Sequence, residues 1–201
     1  MLSAIILAAG ESKRFGSLKQ IFKFENKTFL EKILENLLET PFIFEIIVAL
    51  GFEFQKIIEN TKVNSEKIKF IVNYNYQDGQ ISTLKEALKN CSDFSNGYLV
   101  TLVDHPFIKK ETYRYLIEEF IEYNFQKIII PIYEGRRGHP VIFPKLLKNE
   151  LLNAPLNEGA RYVIKKFENI VKLVKTLDKF ILADIDRIED LEKIIYNWRF
   201  L

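Results

Sequence analysis

Cysteine is all but absent: Cys91 is the single one in 201 residues, which excludes an internal disulfide and any multi-cysteine zinc site. That usage suits a reducing cytoplasm. Charge of one sign is lacking too, because 29 Lys and Arg against 27 Asp and Glu leave a formal net charge of only +2. Bulk electrostatics therefore gives no reason to expect a nucleic-acid-coating surface, and any basic cluster must act locally. No apolar run approaches the ~18 residues of a membrane span, and the start MLSAIILAAGES lacks the positive leader of a signal peptide. The expectation is a cytoplasmic protein with no membrane and no nucleic-acid partner. Neither a Ser-His-Asp constellation nor a paired-Glu one is legible. What remains is ordinary globular composition, 48% hydrophobic and 28% charged, long enough to bury one sizeable core. We read residues 1–201 as one domain.

Short β-branched runs alternate with amphipathic helical patterns. The runs are AIILAAG from Ala4, EIIVALG from Glu45, IKFIVN from Ile68, GYLVTLVD from Gly97 and KIIIPIY from Lys127. They are apolar almost throughout, as strands of a parallel sheet covered on both faces must be. Between them, helices are expected from Thr28, where Thr28 and Glu31 form a capping box, and from Glu111. The alternation predicts a doubly wound α/β fold with a mostly parallel sheet. After Tyr133 the rhythm breaks: EGRRG reads as a turn and HPVIF as a strand, together a hairpin inserted at the sheet edge. Helices near 144–152 and 158–167, strands VKLVKT and FILADI, and a helix over 188–198 complete the expectation.

In such a sheet ligands sit beyond the carboxyl ends of the strands, where LAAGESKRFGSLKQ follows the first one. Its glycines, Gly10 and Gly16, do not have the G-x-G-x-x-G spacing of a dinucleotide loop. They also lack the four-residue gap and following Lys-Ser/Thr of a P-loop. A longer loop is left, with small residues that let backbone amides approach an anion and with Arg14 and Lys19 as cations. A triphosphate fits that description, and so does a solvated basic turn. Asp104, ending the fourth strand in TLVDHP, suits a Mg²⁺ that takes one or two carboxylates plus substrate phosphates, or else a turn before proline.

LAAGESKRFGSLK resembles the L-A-A-G-x-S-x-R-M-G-x-x-K signature of the MobA-like nucleotidyltransferases, in particular the molybdenum cofactor cytidylyltransferase branch. Leu7, Ala8, Ala9, Gly10, Ser12, Arg14, Gly16 and Lys19 match, and Phe15 replaces Met. Further blocks follow in the family's order to Asp186. TLVDHP is similar to LVDQP, with His105 for Gln; DGQISTLKEAL is similar to G-M-x-S-S-L-R, with Gln80 for Met and Lys85 for Arg. GRRGHPVIF keeps Gly138, His139 and Pro140, NEGAR keeps Gly-Ala-Arg, and ADIDRIEDL is similar to D-I-D-T-P-E-D-L.

The resemblance implies a Rossmann-like nucleotidyltransferase fold and transfer of CMP from CTP to the phosphate of molybdopterin, with release of pyrophosphate. It implies nucleotide contacts from Leu7, Ala8, Ala9, Gly10, Arg14, Lys19, Gly79 and Ser82, with Arg14, Lys19 and Asp104 catalytic. Mg²⁺ is implied on Asp104 and Asp186, with Asp184 in reserve for the latter, and acceptor contacts on His139 and Arg161. The implied partners are CTP, the molybdopterin-type acceptor and a recipient molybdoenzyme. Each block has a plainer reading as well. Asp186 with Glu189 can be a helix N-cap pair, Thr83 with Glu86 a capping box, and Arg161 a partner of Glu158. Two other activities stay open: a sugar-phosphate or other small-molecule nucleotidyltransferase, and a nucleotide-binding regulator without turnover.

Overall fold

The computed structural model describes residues 1–198, with side chains through Ile194; positions 199–201 of the expected 1–201 domain lie outside the described residues. The strands are β1 (Leu2–Ala8), β2 (Lys23–Phe24), β3 (Lys27–Thr28), β4 (Ile43–Leu50), β5 (Ile68–Val72), β6 (Gly97–Leu102), β7 (Ile128–Tyr133), β8 (Arg136–Arg137), β9 (Val141–Pro144) and β10 (Val171–Lys175). The helices are α1 (Phe29–Leu38), α2 (Phe54–Asn60), α3 (Gln80–Asn90), α4 (Lys110–Glu122), α5 (Lys148–Leu152), α6 (Ala160–Lys166) and α7 (Ile188–Trp198). None of the described helices is long and apolar enough to cross a membrane.

The main sheet runs β10-β7-β9-β6-β1-β4-β5, with β8 paired to β7. β1 lies between β4 and β6 and is parallel to both, with Ile5 opposite Ile47 and Val100. Its side chains alternate between two cores, as a strand's period of two requires. Leu2, Ala4, Ile6 and Ala8 join the apolar faces of α1 and α4, whereas Ile5 and Leu7 join α3, α5 and α6. Every residue of β1 is buried, which is why the sequence shows one continuous apolar run. The expected doubly wound, mostly parallel architecture is present.

The capping box of α1 is present as well: Glu31 N–H donates to Thr28 Oγ1 at 3.1 Å and Thr28 N–H to Glu31 Oε2 at 2.8 Å. Two local expectations differ. The turn after β7 does return as the antiparallel β8, but the following β9 is not at an edge. It is antiparallel to both β6 and β7 and all four of its residues are buried. Its length and terminal proline suit an edge, yet Pro144 comes last and sits opposite Gly97, where the ladder ends. FILADI is not a strand. Asp178 Oδ1 accepts from Phe180 N–H at 3.0 Å and starts a 3₁₀ turn over Lys179–Leu182. Asp178 Oδ2 accepts from Lys109 N–H and Thr112 Oγ1, so turn chemistry overrides the apolar pattern.

A third, largely aromatic cluster lies at the carboxyl end of the sheet. Phe15, Phe29, Phe107, Phe180, Ile185 and Leu191 are buried there, with Phe22 and Phe24 packed alongside. It joins the loop after β1 to the segment before α7.

Candidate active site

The loop after β1 is built from its own hydrogen bonds and one aromatic anchor. Ser12, at φ 56°, accepts from the N–H groups of Phe15 and Gly16 through its carbonyl, and from Lys19 N–H through Oγ at 3.3 Å. Gly16 continues the turn at φ 80°, where glycine is unstrained. Phe15 packs edge-on against Phe22 and Phe29 at centroid distances of 4.9 and 6.0 Å. The phenylalanine that stands in place of methionine therefore fixes the loop from below.

Gln20 was not singled out from the sequence, and it braces the same loop. Fully buried, it donates from Nε2 to the carbonyls of Ala8 at 2.8 Å and Gly10 at 2.9 Å, fixing both sides of Ala9. Nothing in the sequence around Lys19 announces this long-range role.

Above the loop is a cavity of about 450 Å³ lined by Leu7, Ala9, Gly10, Arg14, Lys19, Gly79, Asp104 and Asp186. Six of the eight expected nucleotide contacts thus line one cavity. A Cβ on Gly10 or Gly79 would meet nothing within 4 Å, so both keep open space at the cavity. Two expected contacts stand elsewhere. Ala8 points into the core on the other side of β1. The Ser82 hydroxyl shares its one proton between the carbonyls of Asn75 and Gly79 and accepts from Asn73 Nδ2, and it does not line the cavity. Thr83, next to it, faces the cavity and accepts from Asn73 at 3.0 Å. The helix begins at Gln80, so Thr83 and Glu86 do not form its cap. Tyr76, Gln77 and Glu11 also line the cavity and carried no sequence signal.

Three acidic groups and two cations meet at the far end. Lys19, 7% exposed, places Nζ 2.8 Å from Asp186 Oδ1 and 3.9 Å from Asp104 Oδ2, and Arg14 Nη1 is 2.6 Å from Asp186 Oδ2. Lys19's hydrogen bond, reinforced by its charge and that of Arg14, holds the Asp186 carboxyl below the usual range. Asp186 is not the helix cap: Asp190 Oδ2 accepts from Asp186 N–H and from Arg187 N–H, which leaves the Asp186 side chain to the two cations.

Asp104 lies two residues past the end of β6, and its carbonyl accepts from Ile185 N–H at 3.0 Å, tying the acidic segment to the strand end. Burial and the neighbouring Asp184 carboxylate push Asp104 up to about 7, against the pull of Lys19. Its buried Oδ1 has no hydrogen-bond partner. Donor atoms of Asp104, His105 and Asp184 all lie within 4.8 Å of one another. Carboxylates crowded together with an unsatisfied oxygen suit a divalent cation. Asp104 fits the expected ligand role, with Asp184 beside it and Asp186 held by the cations.

A second cavity, of about 700 Å³, shares Leu7, Gln80 and Leu102 with the first. Its floor is apolar, from Leu84, Val100, Ile130, Val141 and Phe143, and its charged lining is Arg137, Arg161 and Lys165 with Glu158 and Glu168, a net positive set. Arg161 opens onto it beside Glu158, and His139 lines it after the turn at Gly138. His139 N–H donates to the Ile181 carbonyl at 2.9 Å. Burial, with His105 and Arg161 nearby, lowers the His139 imidazole to about 3, so it is a neutral wall rather than a cation. A cationic, carboxylate-bearing cleft thus meets an amphipathic one over the first strand.

Comparison with known proteins agrees with this arrangement. The family model of the MobA-like NTP transferase domain matches residues 4–172. The molybdenum cofactor cytidylyltransferase of Escherichia coli K12 is 24% identical over 189 residues, covering 94% of this chain and 93% of its own. A probable molybdenum cofactor guanylyltransferase of Methanosarcina mazei is 26% identical over 215 residues, covering 96% and 89%. Among solved structures, Rv0371c of Mycobacterium tuberculosis H37Rv superposes with a TM-score of 0.83 at 20% identity, over 98% of both chains. Its complex with manganese gives 0.73 at 18%, over 97% and 98%. The chain belongs to the MobA-like NTP transferase domain family and is a nucleotidyltransferase.

Proposed function

We propose that this nucleotidyltransferase moves CMP from CTP to the phosphate of a molybdopterin-type acceptor in the cytoplasm, with Mg²⁺ as the cofactor. The observation that carries the reading is the meeting of the two cavities at Leu7, Gln80 and Leu102. One offers cations and carboxylates for a triphosphate and its counterion; the other has an apolar floor and a net positive charged lining, suited to a flat ring system with an anionic tail. The names of the E. coli and M. mazei relatives favour a molybdenum cofactor acceptor.

In this reading Leu7, Ala9, Gly10 and Gly79 frame the base, Ser82 and Ala8 support that frame, and Arg14 and Lys19 turn from Asp186 to the phosphates. His139 and Arg161 hold the acceptor. An acceptor phosphate oxygen attacks the α-phosphorus in line, the bond from α-phosphorus to the α,β-bridging oxygen breaks, and pyrophosphate leaves with the electron pair. A phosphomonoester has its second pKa near ~6, so at neutral pH the attacking oxygen is already ionised and no general base is required. Asp104 with Asp186 or Asp184 would hold Mg²⁺, which when bound would supply charge neutralisation for the approach of two polyanions. The manganese complex of the M. tuberculosis neighbour supports a divalent ion at this fold.

The test is pyrophosphate release with CTP or GTP and a panel of phosphorylated acceptors. Release should require CTP, Mg²⁺ and the pterin acceptor. Loss of one electrostatic donor typically costs ~10²-fold or more. Lys19→Ala, Arg14→Ala and Asp104→Ala should therefore each reduce turnover by about that factor while leaving a cooperative thermal transition. Full release with a sugar phosphate alone replaces the acceptor, and CTP binding without any release makes the chain a regulator.

A further inference from the structure

We infer that Asp104, His105 and Asp184 form a mixed carboxylate–imidazole metal site, which favours first-row transition dications such as Mn²⁺ and Co²⁺ over Mg²⁺. The inference deepens the metal-dependent reading above and rests on it for the ion's place beside the phosphates. A carboxylate oxygen from each aspartate and a ring nitrogen of His105 lie within 4.8 Å of one another, close enough for one ion to reach all three with small side-chain rotations. Two observations beyond the acidic cluster point to a ligand. The His105 ring is only 5% exposed and places Nε2 3.8 Å from Asp104 Oδ1, a buried oxygen that has no hydrogen-bond partner. Buried polar atoms are rarely left so, and a cation between Nε2 and Oδ1 would satisfy that oxygen.

The neighbouring Asp186 does not offer the same opportunity. Its two oxygens are held by Lys19 at 2.8 Å and Arg14 at 2.6 Å. Asp184, two residues earlier, lies instead on the side of Asp104 and His105. Backbone geometry holds the three together: His105 N–H donates to the Leu102 carbonyl, and Ile185 N–H donates to the Asp104 carbonyl.

The donor set determines the preference. Mg²⁺ demands near-ideal octahedral oxygen coordination and gives up water reluctantly, whereas an imidazole nitrogen is a better donor to transition metals. The glutamine that the resembled LVDQP block carries at this position would offer only an amide. The replacement by His105 thus changes metal choice without altering the aspartate before it.

The test is pulsed electron paramagnetic resonance on the full chain with Mn²⁺ alone and with Mn²⁺ plus CTP, together with Mn²⁺ titrations against Mg²⁺ as competitor. The expected result is bound Mn²⁺ showing ¹⁴N modulation from a directly coordinated imidazole. His105→Gln should remove that modulation and lower the Mn²⁺-over-Mg²⁺ preference at least ~10-fold, the lower end of what losing even an outer-shell partner costs. His139→Gln should leave the modulation in place, which separates the two rings, tilted at 50° with centroids 5.1 Å apart. Bound Mn²⁺ without nitrogen modulation, or no retained Mn²⁺ with or without CTP, overturns the inference. If His105→Gln does not fold, the wild-type modulation and its persistence in His139→Gln decide the matter. Pyrophosphate release with Mg²⁺ but no nitrogen coupling removes this inference and leaves nucleotidyl transfer standing; coupling without release does the reverse.

Discussion

Lys19 Nζ lies 2.8 Å from Asp186 Oδ1, so the loop after the first strand and the segment before the last helix are joined by an ion pair across the candidate phosphate site. Arg14 closes the same carboxylate from its other oxygen. In this state Asp186 occupies the two cations that a triphosphate would need. Asp186→Asn removes that competition. Metal-free CTP binding, followed by calorimetry in chelator, should tighten about 10-fold, which is ~1.4 kcal/mol. Unchanged metal-free affinity would mean that Lys19 and Arg14 do not receive the phosphates.

Gly51, directly after β4, couples that strand to the first cavity. A Cβ there would lie 2.7 Å from Tyr76 Cβ and 2.8 Å from the Ala9 carbonyl oxygen, and Phe52 N–H donates to that same carbonyl at 3.1 Å. Both neighbours are walls of the first cavity. Gly51→Ala should therefore cost about 1–3 kcal/mol, the usual range for overpacking, in urea unfolding. It should also raise KM for the nucleotide more than it lowers kcat. An unchanged KM in a folded variant would detach this contact from the site.

Glu31 supports α1 from two directions and makes stability depend on pH. Burial alone would raise its carboxyl, yet the backbone N–H groups of Thr28 and Lys62, at 2.8 and 2.9 Å, hold it below the ordinary glutamate value. Because the folded value is depressed, the contribution is present above the unfolded pKa of ~4.3 and disappears as pH falls through the folded value. Glu31→Ala should cost ~1–3 kcal/mol at pH 7, as buried donors are left unpaired, and the deficit relative to wild type should shrink below about pH 4. Urea titrations from pH 3 to 7 measure both.

The capping box at Thr28 and Glu31, the alternation of β1 and the cations of the first loop were legible because each is local or strictly periodic. β9 was not placed by such signals, since a four-residue strand says nothing about which strands it will lie between. FILADI misleads for a related reason: its turn is started by Asp178, whose partners Lys109 and Thr112 are about seventy residues distant in the chain. The same holds at the site. Gln20 acts on Ala8 and Gly10 through a side chain with no motif, and Ser82 and Thr83 are indistinguishable as neighbouring hydroxyls until the helix start decides which one faces the cavity. Aspartates 184 and 186 share a short acidic segment, and only the fold sends one toward Asp104 and the other toward Lys19.

Ala9 offers a test of base selection. It is 6% exposed, lines the first cavity and is fixed on either side by Gln20, so its methyl group has a settled position in the wall. Replacement by glycine removes that methyl and widens the wall beside the base. A single methylene in an apolar pocket is worth ~1–3 kcal/mol of discrimination, so Ala9→Gly should lower the ratio of kcat/KM for CTP over GTP by about 10-fold or more. The gain should come from GTP rather than from a loss with CTP, since Gln20 still holds the carbonyls of residues 8 and 10. Added glycine freedom costs roughly 0.5–1 kcal/mol of stability, too little to unfold an ordinary domain. Steady-state pyrophosphate assays with both nucleotides decide it: if the ratio does not move, base choice is made elsewhere, and Tyr76, Gln77 and Gln80, which also line the cavity, become the residues to change.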